Sequence, residues 1–130
     1  MHELDEPALI AFVFEHYHQA LLSSARAHRF LRALNLDDPQ TINVLKLGFV
    51  DRTLGFQLPD GTTTEGRLVR GTLVRLGVLR ASGHETFWGC VVFPLFHDNG
   101  HIIGGYGFRL KAHEHAHRLA TVSWVSGLSR

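Results

Sequence analysis

The chain is short of cysteine, of lysine and of long apolar runs, and each shortage excludes something. A single cysteine, Cys90, leaves no internal disulfide framework and no multi-cysteine zinc ribbon within the chain. No apolar stretch approaches the roughly 20 residues that a membrane-spanning helix requires, so no membrane partner is expected. Glu3, Asp5 and Glu6 stand where a secretory signal carries Lys or Arg, and a reducing, cytoplasmic home is the expectation. Catalytic signatures are also scarce. There is no Gly-x-Ser-x-Gly elbow and no Walker A loop, and the glycines at 104, 105 and 107 follow a hairpin instead of joining a strand to a helix. Asp37 and Asp38 read as helix capping, not as an acid–base pair. Cys90 sits beside Val91 and Val92 in a β-prone run, which suits an inert buried thiol.

What is present is an ordinary globular composition. The chain has 130 residues, 45% hydrophobic and 19% charged, which fits one domain spanning 1–130 with a real core. The formal net charge is only +1, but it is unevenly spread. Residues 1–22 carry four acids and no Lys or Arg, so all 13 basic residues lie beyond them, against eight acids. Eleven of the 13 are Arg, the better residue for planar, bidentate phosphate contacts. A solvated Arg-rich surface is the competing reading. Ten His residues invite a metal, above all the alternating His113, His115 and His117 and the close pair His16 and His18. A functional site needs three or four supported ligands, so residues 112–118 read instead as a solvated polar loop and no metal site is assigned.

Helix signals come first. Asp5 caps and Pro7 opens a helix to about Leu22, with Ile10, Phe14, Tyr17 and Leu21 on one stripe and Leu9 and Val13 widening it. Ser23 or Ser24 caps a second helix to about Leu34, burying Ala27, Phe30, Leu31 and Leu34 and leaving Arg26, Arg29 and Arg32 outside. Asp38-Pro39 opens a short third helix with Ile42 and Leu45 inward and Gly48 as its terminal glycine. Residues 49–58 read as extended. Thr63 or Thr64 caps a fourth helix from 65 to about 76, with Val69, Leu73 and Leu76 inward and Arg67, Arg70 and Arg75 opposite; Gly66 and Gly71 both weaken it. Residues 87–96 read as a strand, Asp98-Asn99-Gly100 as a turn with positive φ at Asn-Gly, and 101–110 as the returning strand. A further strand is read at 121–125. Helices followed by an antiparallel hairpin argue an α+β fold, with the N-terminal helices on a small antiparallel sheet. The basic faces of helices two and four, with Arg109 and Lys111 on the hairpin, then suit one polyanion, and an exposed Trp88, Tyr106 or Trp124 would stack a base.

The sequence resembles the N-terminal subdomain of the catalytic core of bacterial primases. Three stretches, beginning at Tyr17, Ala27 and Thr41, resemble that core's opening helices and first strand. Leu73-Val-Arg-Leu-Gly-Val-Leu resembles its x-x-x-Gly-Leu-Leu element. Residues 87–109 resemble its Phe-x-x-Arg-Ile-Met-Phe-Pro-Ile hairpin, which closes on Arg, here Arg109. Arg80-Ala-Ser-Gly-His-Glu-Thr-Phe-Trp-Gly is similar to primase-like proteins of mobile elements. The resemblance covers about residues 12–126. It implies a subdomain that helps form the groove for single-stranded template DNA, in a core that makes RNA primers for DNA replication. The residues it points to are Arg109, Lys111, Arg67, Arg70, Arg75 and Arg32. In the family this segment precedes a metal-binding TOPRIM domain and follows a zinc-binding one. Neither the zinc ligands nor the TOPRIM carboxylates occur here, and Leu34 stands where the family's helical motif has Arg. The resemblance therefore implies no catalysis by this chain alone, no resident cofactor, and magnesium only with a TOPRIM-bearing partner or downstream domain. The alternatives are a protein-interaction module that dimerises through the hairpin edge, and a small hydrolase built on the His cluster.

Overall fold

The computed structural model describes residues 5–111 and 114–123, and side chains from Asp5 to Leu110. Its elements are α1 (Glu6–Leu22), α2 (Ala25–Ala33), α3 (Pro39–Leu45), β1 (Gly48–Phe49), a 3-10 turn (Leu54–Gln57), α4 (Thr64–Leu76), β2 (Cys90–Phe96), β3 (Ile102–Lys111) and β4 (Glu114–Ser123). This is the expected α+β arrangement, helices packed on an antiparallel sheet.

Each α-helix starts where a side chain can satisfy its exposed N–H groups. Asp5, Ser24, Asp38 and Thr63 accept from Ala8, Ala27, Thr41 and Gly66 at 3.1, 3.1, 2.8 and 2.9 Å. Such a cap stabilises a helix by about 1 kcal/mol. The ends depart from expectation. α2 stops at Ala33, and Leu34, in the cap with Asn35 turning at φ 60°, leaves the apolar stripe and is 48% exposed. α3 ends on Lys46 at φ 54°, not on Gly48, and Leu45 is 40% exposed. Gly48 lies in β1 instead, where a Cβ would sit 2.7 Å from the Cβ of Tyr17.

The sheet order is β1-β2-β3-β4, all antiparallel. Val91 and Val92 are neighbours in β2 yet belong to different cores, because successive strand residues point to opposite faces. With Val92 lie Ile10, Phe14 and Tyr17 of α1, Val69, Leu73 and Leu76 of α4, and Phe87. With Val91 lie Leu21, Ala27, Phe30, Leu31, Ile42, Phe49 and Leu110. α2 thus packs on the face opposite α4. His18 is buried among these apolar residues, a position the stripe did not anticipate. Its Nδ1 lies 2.8 Å from the Leu47 carbonyl, which only accepts, so the ring donates there.

The extended run expected at 49–58 is a strand only at Gly48–Phe49. Asp51 Oδ1 accepts from the Thr53 N–H at 3.2 Å, Arg52 turns at φ 71°, and the chain breaks away from the sheet. β2 likewise begins at Cys90, not at Phe87, because Gly89 turns at φ 75°. At the hairpin only Gly100 takes a positive φ, 87°, and the His97 N–H closes a three-residue loop on the His101 carbonyl at 2.8 Å. The His-rich segment expected as a loop is strand β4 from Glu114, so the final strand starts seven residues earlier than its apolar residues indicated. His113 and Trp124 lie outside the described residues. β4 pairs along the outer edge of β3, whereas β1 pairs with β2 only at Val91 and Val92, so the hairpin lies inside the sheet except along Phe93–Phe96 of β2. Among the described residues no helix is long and apolar enough to cross a membrane.

Candidate nucleic-acid interface

Two loops with left-handed turns build one basic cleft. The first follows β1. The Thr53 hydroxyl donates to Asp51 Oδ1 at 2.5 Å, so it accepts from His16 Nε2 of α1 at 2.7 Å. This anchoring leaves Arg52 at the apex of the turn with its side chain free to project. The second loop runs from α4 to β2. Gly77 ends α4 at φ 89°, and Leu79 bridges Glu85. The Arg80 N–H donates to the His84 carbonyl at 2.7 Å, across a tight turn through Gly83 at φ 92°. Then Phe87 turns inward and Trp88 outward. Gly89 is fixed on both sides: its N–H donates to the Val50 carbonyl and its carbonyl accepts from the Leu110 N–H, each at 3.0 Å.

Arg109 faces Cys90 across the ladder and so emerges beside that turn. Its guanidinium lies 5.2 Å from the centroid of the Trp88 ring, and that of Arg52 lies 5.0 Å from the same ring. Arg52, Arg70, Arg80, His84, Trp88 and Arg109 line an open cleft of about 540 Å³, with Glu85 as the one acid in its wall among the described residues. Arg70 is held in place by the Pro59 and Gly55 carbonyls, at 3.0 and 3.1 Å. Four guanidinium groups against one carboxylate make the cleft strongly cationic, a geometry that concentrates anions.

Glu85 is held above the usual carboxylate range by burial, partly opposed by the Tyr17 hydroxyl beside it. Among the described residues its Oε1 and the Tyr17 hydroxyl, both buried, find no partner in ordinary hydrogen-bond geometry. Burial, then the Glu85 charge, pushes the Tyr17 hydroxyl well up. Burial also raises the Cys90 thiol, against the pull of Arg109, in keeping with an inert cysteine. The sign for Glu85 follows from its raised value. The folded state binds a proton that the unfolded state has already released, so stability falls as pH rises from the ordinary Glu range through the raised one. Glu85→Gln is expected to raise Tm at pH 8 and to give no gain at pH 4, which thermal melts at the two pH values check.

The residues singled out from sequence are only partly brought together. Arg70 and Arg109 line the cleft. Arg67 donates to the Thr62 carbonyl at 3.0 Å and is not in the cleft wall. Arg75 pairs with Glu6 of α1. Arg32 pairs with Asp37 at 3.1 Å, on the helix that covers the other face of the sheet. The Asp37 carboxylate, bonded first by His28, is held below its usual range. The basic faces of α2 and α4 therefore do not converge. The Lys111 side chain lies outside the described residues. Of the aromatics, Trp88 is in the cleft, whereas Tyr106, three residues from Arg109, is on the opposite face of β3. Arg52 and Arg80 were missed. Arg80 opens the stretch similar to mobile-element primases; Arg52 lay inside a run read as strand and carried no signal.

No protein-family model matches the chain, and no curated protein does. Solved structures do. The Escherichia coli primase catalytic core superposes with a TM-score of 0.69 at 21% identity, over 92% of this chain and 39% of that one. A DNA primase domain from Pseudomonas aeruginosa gives 0.68 at 25% identity, over 92% and 38%. The fold is that of a segment of primase catalytic cores. A DnaG primase catalytic domain bound to single-stranded DNA has the same likeness, with a TM-score of 0.68 at 21% identity over 92% and 39%. The chain thus spans under two fifths of each of these primase structures.

Proposed function

We propose that this primase-core fold is a template-holding region: the Arg52–Arg70–Arg80–Arg109 cleft takes single-stranded DNA, and the chain is not catalytic alone. The observation that carries the reading is a cleft lined by four arginines from separate parts of the chain, two of whose guanidinium groups lie over a half-exposed indole. Guanidinium groups grip phosphates, and an aromatic in the same groove suits unpaired bases. A neighbour of the same fold binding single-stranded DNA supports it. Among the described residues no three His, Cys, Asp or Glu groups come together to hold a metal ion. Magnesium would come with a TOPRIM domain, on a partner or elsewhere in a larger cytoplasmic assembly. The likeness of the Arg80 loop to mobile-element primases makes such an assembly the natural setting.

The test is fluorescence anisotropy with a labelled single-stranded oligonucleotide. Four phosphate contacts imply a log–log salt slope of roughly −3, so affinity should fall about 50-fold for a fourfold rise in salt. Absence of binding at low salt, or binding indifferent to salt, would overturn the proposal.

A further inference from the structure

We infer that Trp88 is the seat of one unpaired base, entered by exchange: the base takes an indole surface that a guanidinium now covers, and the released guanidinium turns to the neighbouring phosphate. This deepens the template-cleft reading and rests on it. Trp88 is 43% exposed, and its exposure is built in rather than incidental. Phe87 before it is fully buried, packed so closely under Gly107 that a Cβ there would lie 2.5 Å from the Phe87 ring. Gly89 after it is pinned between Val50, just past β1, and Leu110 of β3, in a left-handed conformation. The Trp88 N–H itself donates to the Glu85 carbonyl at 3.2 Å. The backbone therefore presents the indole outward from a rigid frame.

Among the described residues neither Arg52 nor Arg109 is in an ion pair, and the guanidinium of each lies over the indole. A guanidinium over an exposed ring is held weakly, whereas a base stacked there gains more and leaves the guanidinium for a phosphate. The same pair of arginines is thereby parked without a ligand and placed beside the backbone with one. A cleft of about 540 Å³ is within the range that encloses a small ligand, enough for one nucleotide. Stacking does not read sequence, so any base suits. Bases inside a duplex are already stacked and cannot enter without being unpaired.

The experiment compares three probes of equal length on the full chain: a thymidine oligonucleotide, its abasic counterpart and a blunt duplex. The thymidine strand is expected to bind about tenfold or more tighter than the abasic strand. In a Trp124→Phe background, where Trp88 is the remaining indole, it should also quench the emission. Trp88→Ala should bring thymidine binding down to the abasic level and change abasic binding by less than about twofold. Equal affinity for the thymidine and abasic strands in the wild-type chain would overturn the inference while leaving a phosphate-binding cleft intact. Equal loss on both strands in Trp88→Ala would make Trp88 a structural residue and overturn it too. If no strand binds, the cleft reading itself fails and takes this inference with it.

Discussion

Gly66→Ala is expected to cost about 3 kcal/mol or more of folding stability, read as a fall in the urea midpoint followed by circular dichroism. A Cβ at Gly66 would lie 1.7 Å from the Asp60 carbonyl oxygen, 2.5 Å from its carbon and 2.9 Å from the Pro59 oxygen. All three are backbone atoms, so no side chain can swing aside. The Asp60 oxygen is also the acceptor for the Thr63 N–H at 3.0 Å and for the Thr63 hydroxyl at 2.7 Å. That hydroxyl in turn caps α4 through the Gly66 N–H. Making room for one methyl group therefore opens the turn and the cap together. Gly71, five residues along the same helix, is the control. Nothing lies within 4 Å of a Cβ there, so Gly71→Ala should stabilise the fold by about 0.5–1 kcal/mol. Two similar or stabilising outcomes would contradict the close approach at Asp60.

Those two glycines show where sequence reading stops. Both look like helix-weakening residues, and only the three-dimensional path of the 59–63 turn separates them. What was legible was local chemistry. Asp5, Ser24, Asp38 and Thr63 each act on a backbone group three residues away, so a short window of sequence holds the whole interaction. The hairpin is legible for the same reason, although Asn99 did not need the positive φ that Gly100 supplies. The left-handed turn at Arg52 was not legible, because any residue can follow Asp51 and the side-chain acceptor that bends the chain is common in strands too. The first seven residues of β4 were hidden by their polar, His-rich composition, since a strand paired through its backbone needs no apolar alternation to be recognised by its neighbour.

The site was half legible for a geometric reason. A helical wheel says which arginines point away from the core, not which neighbour they meet. Arg70 points into the cleft, Arg75 meets Glu6, and Arg32 meets Asp37 on the far side of the sheet. The resemblance pointed to Arg109 and Arg70, which both line the cleft, whereas Arg52 and Arg80 lie on loops whose course the sequence did not disclose.

The second large effect is on binding. Arg52→Ala combined with Arg109→Ala removes both cations from Trp88 and half of the cleft's guanidinium groups. Each lost phosphate contact removes roughly 0.7 from the magnitude of the salt slope for single strands. At low salt the affinity for a single-stranded oligonucleotide should drop about 100-fold, since a charge-assisted contact is worth about 1.5–3 kcal/mol. Folding should change little, because cation–π contacts at exposed rings contribute only about 0.5–1 kcal/mol each. The matched control is Arg32→Ala with Arg75→Ala, which deletes the same formal charge from positions outside the cleft.

The decisive measurement is therefore the salt slope of single-strand binding for the two double variants beside the wild-type chain. The cleft account predicts a wild-type slope near −3, reduced in magnitude by roughly 1.4 in the Arg52/Arg109 variant and unaltered in the Arg32/Arg75 variant. Equal reduction in both variants, or a reduction confined to Arg32/Arg75, would show that overall charge or another face carries the binding, and would contradict it.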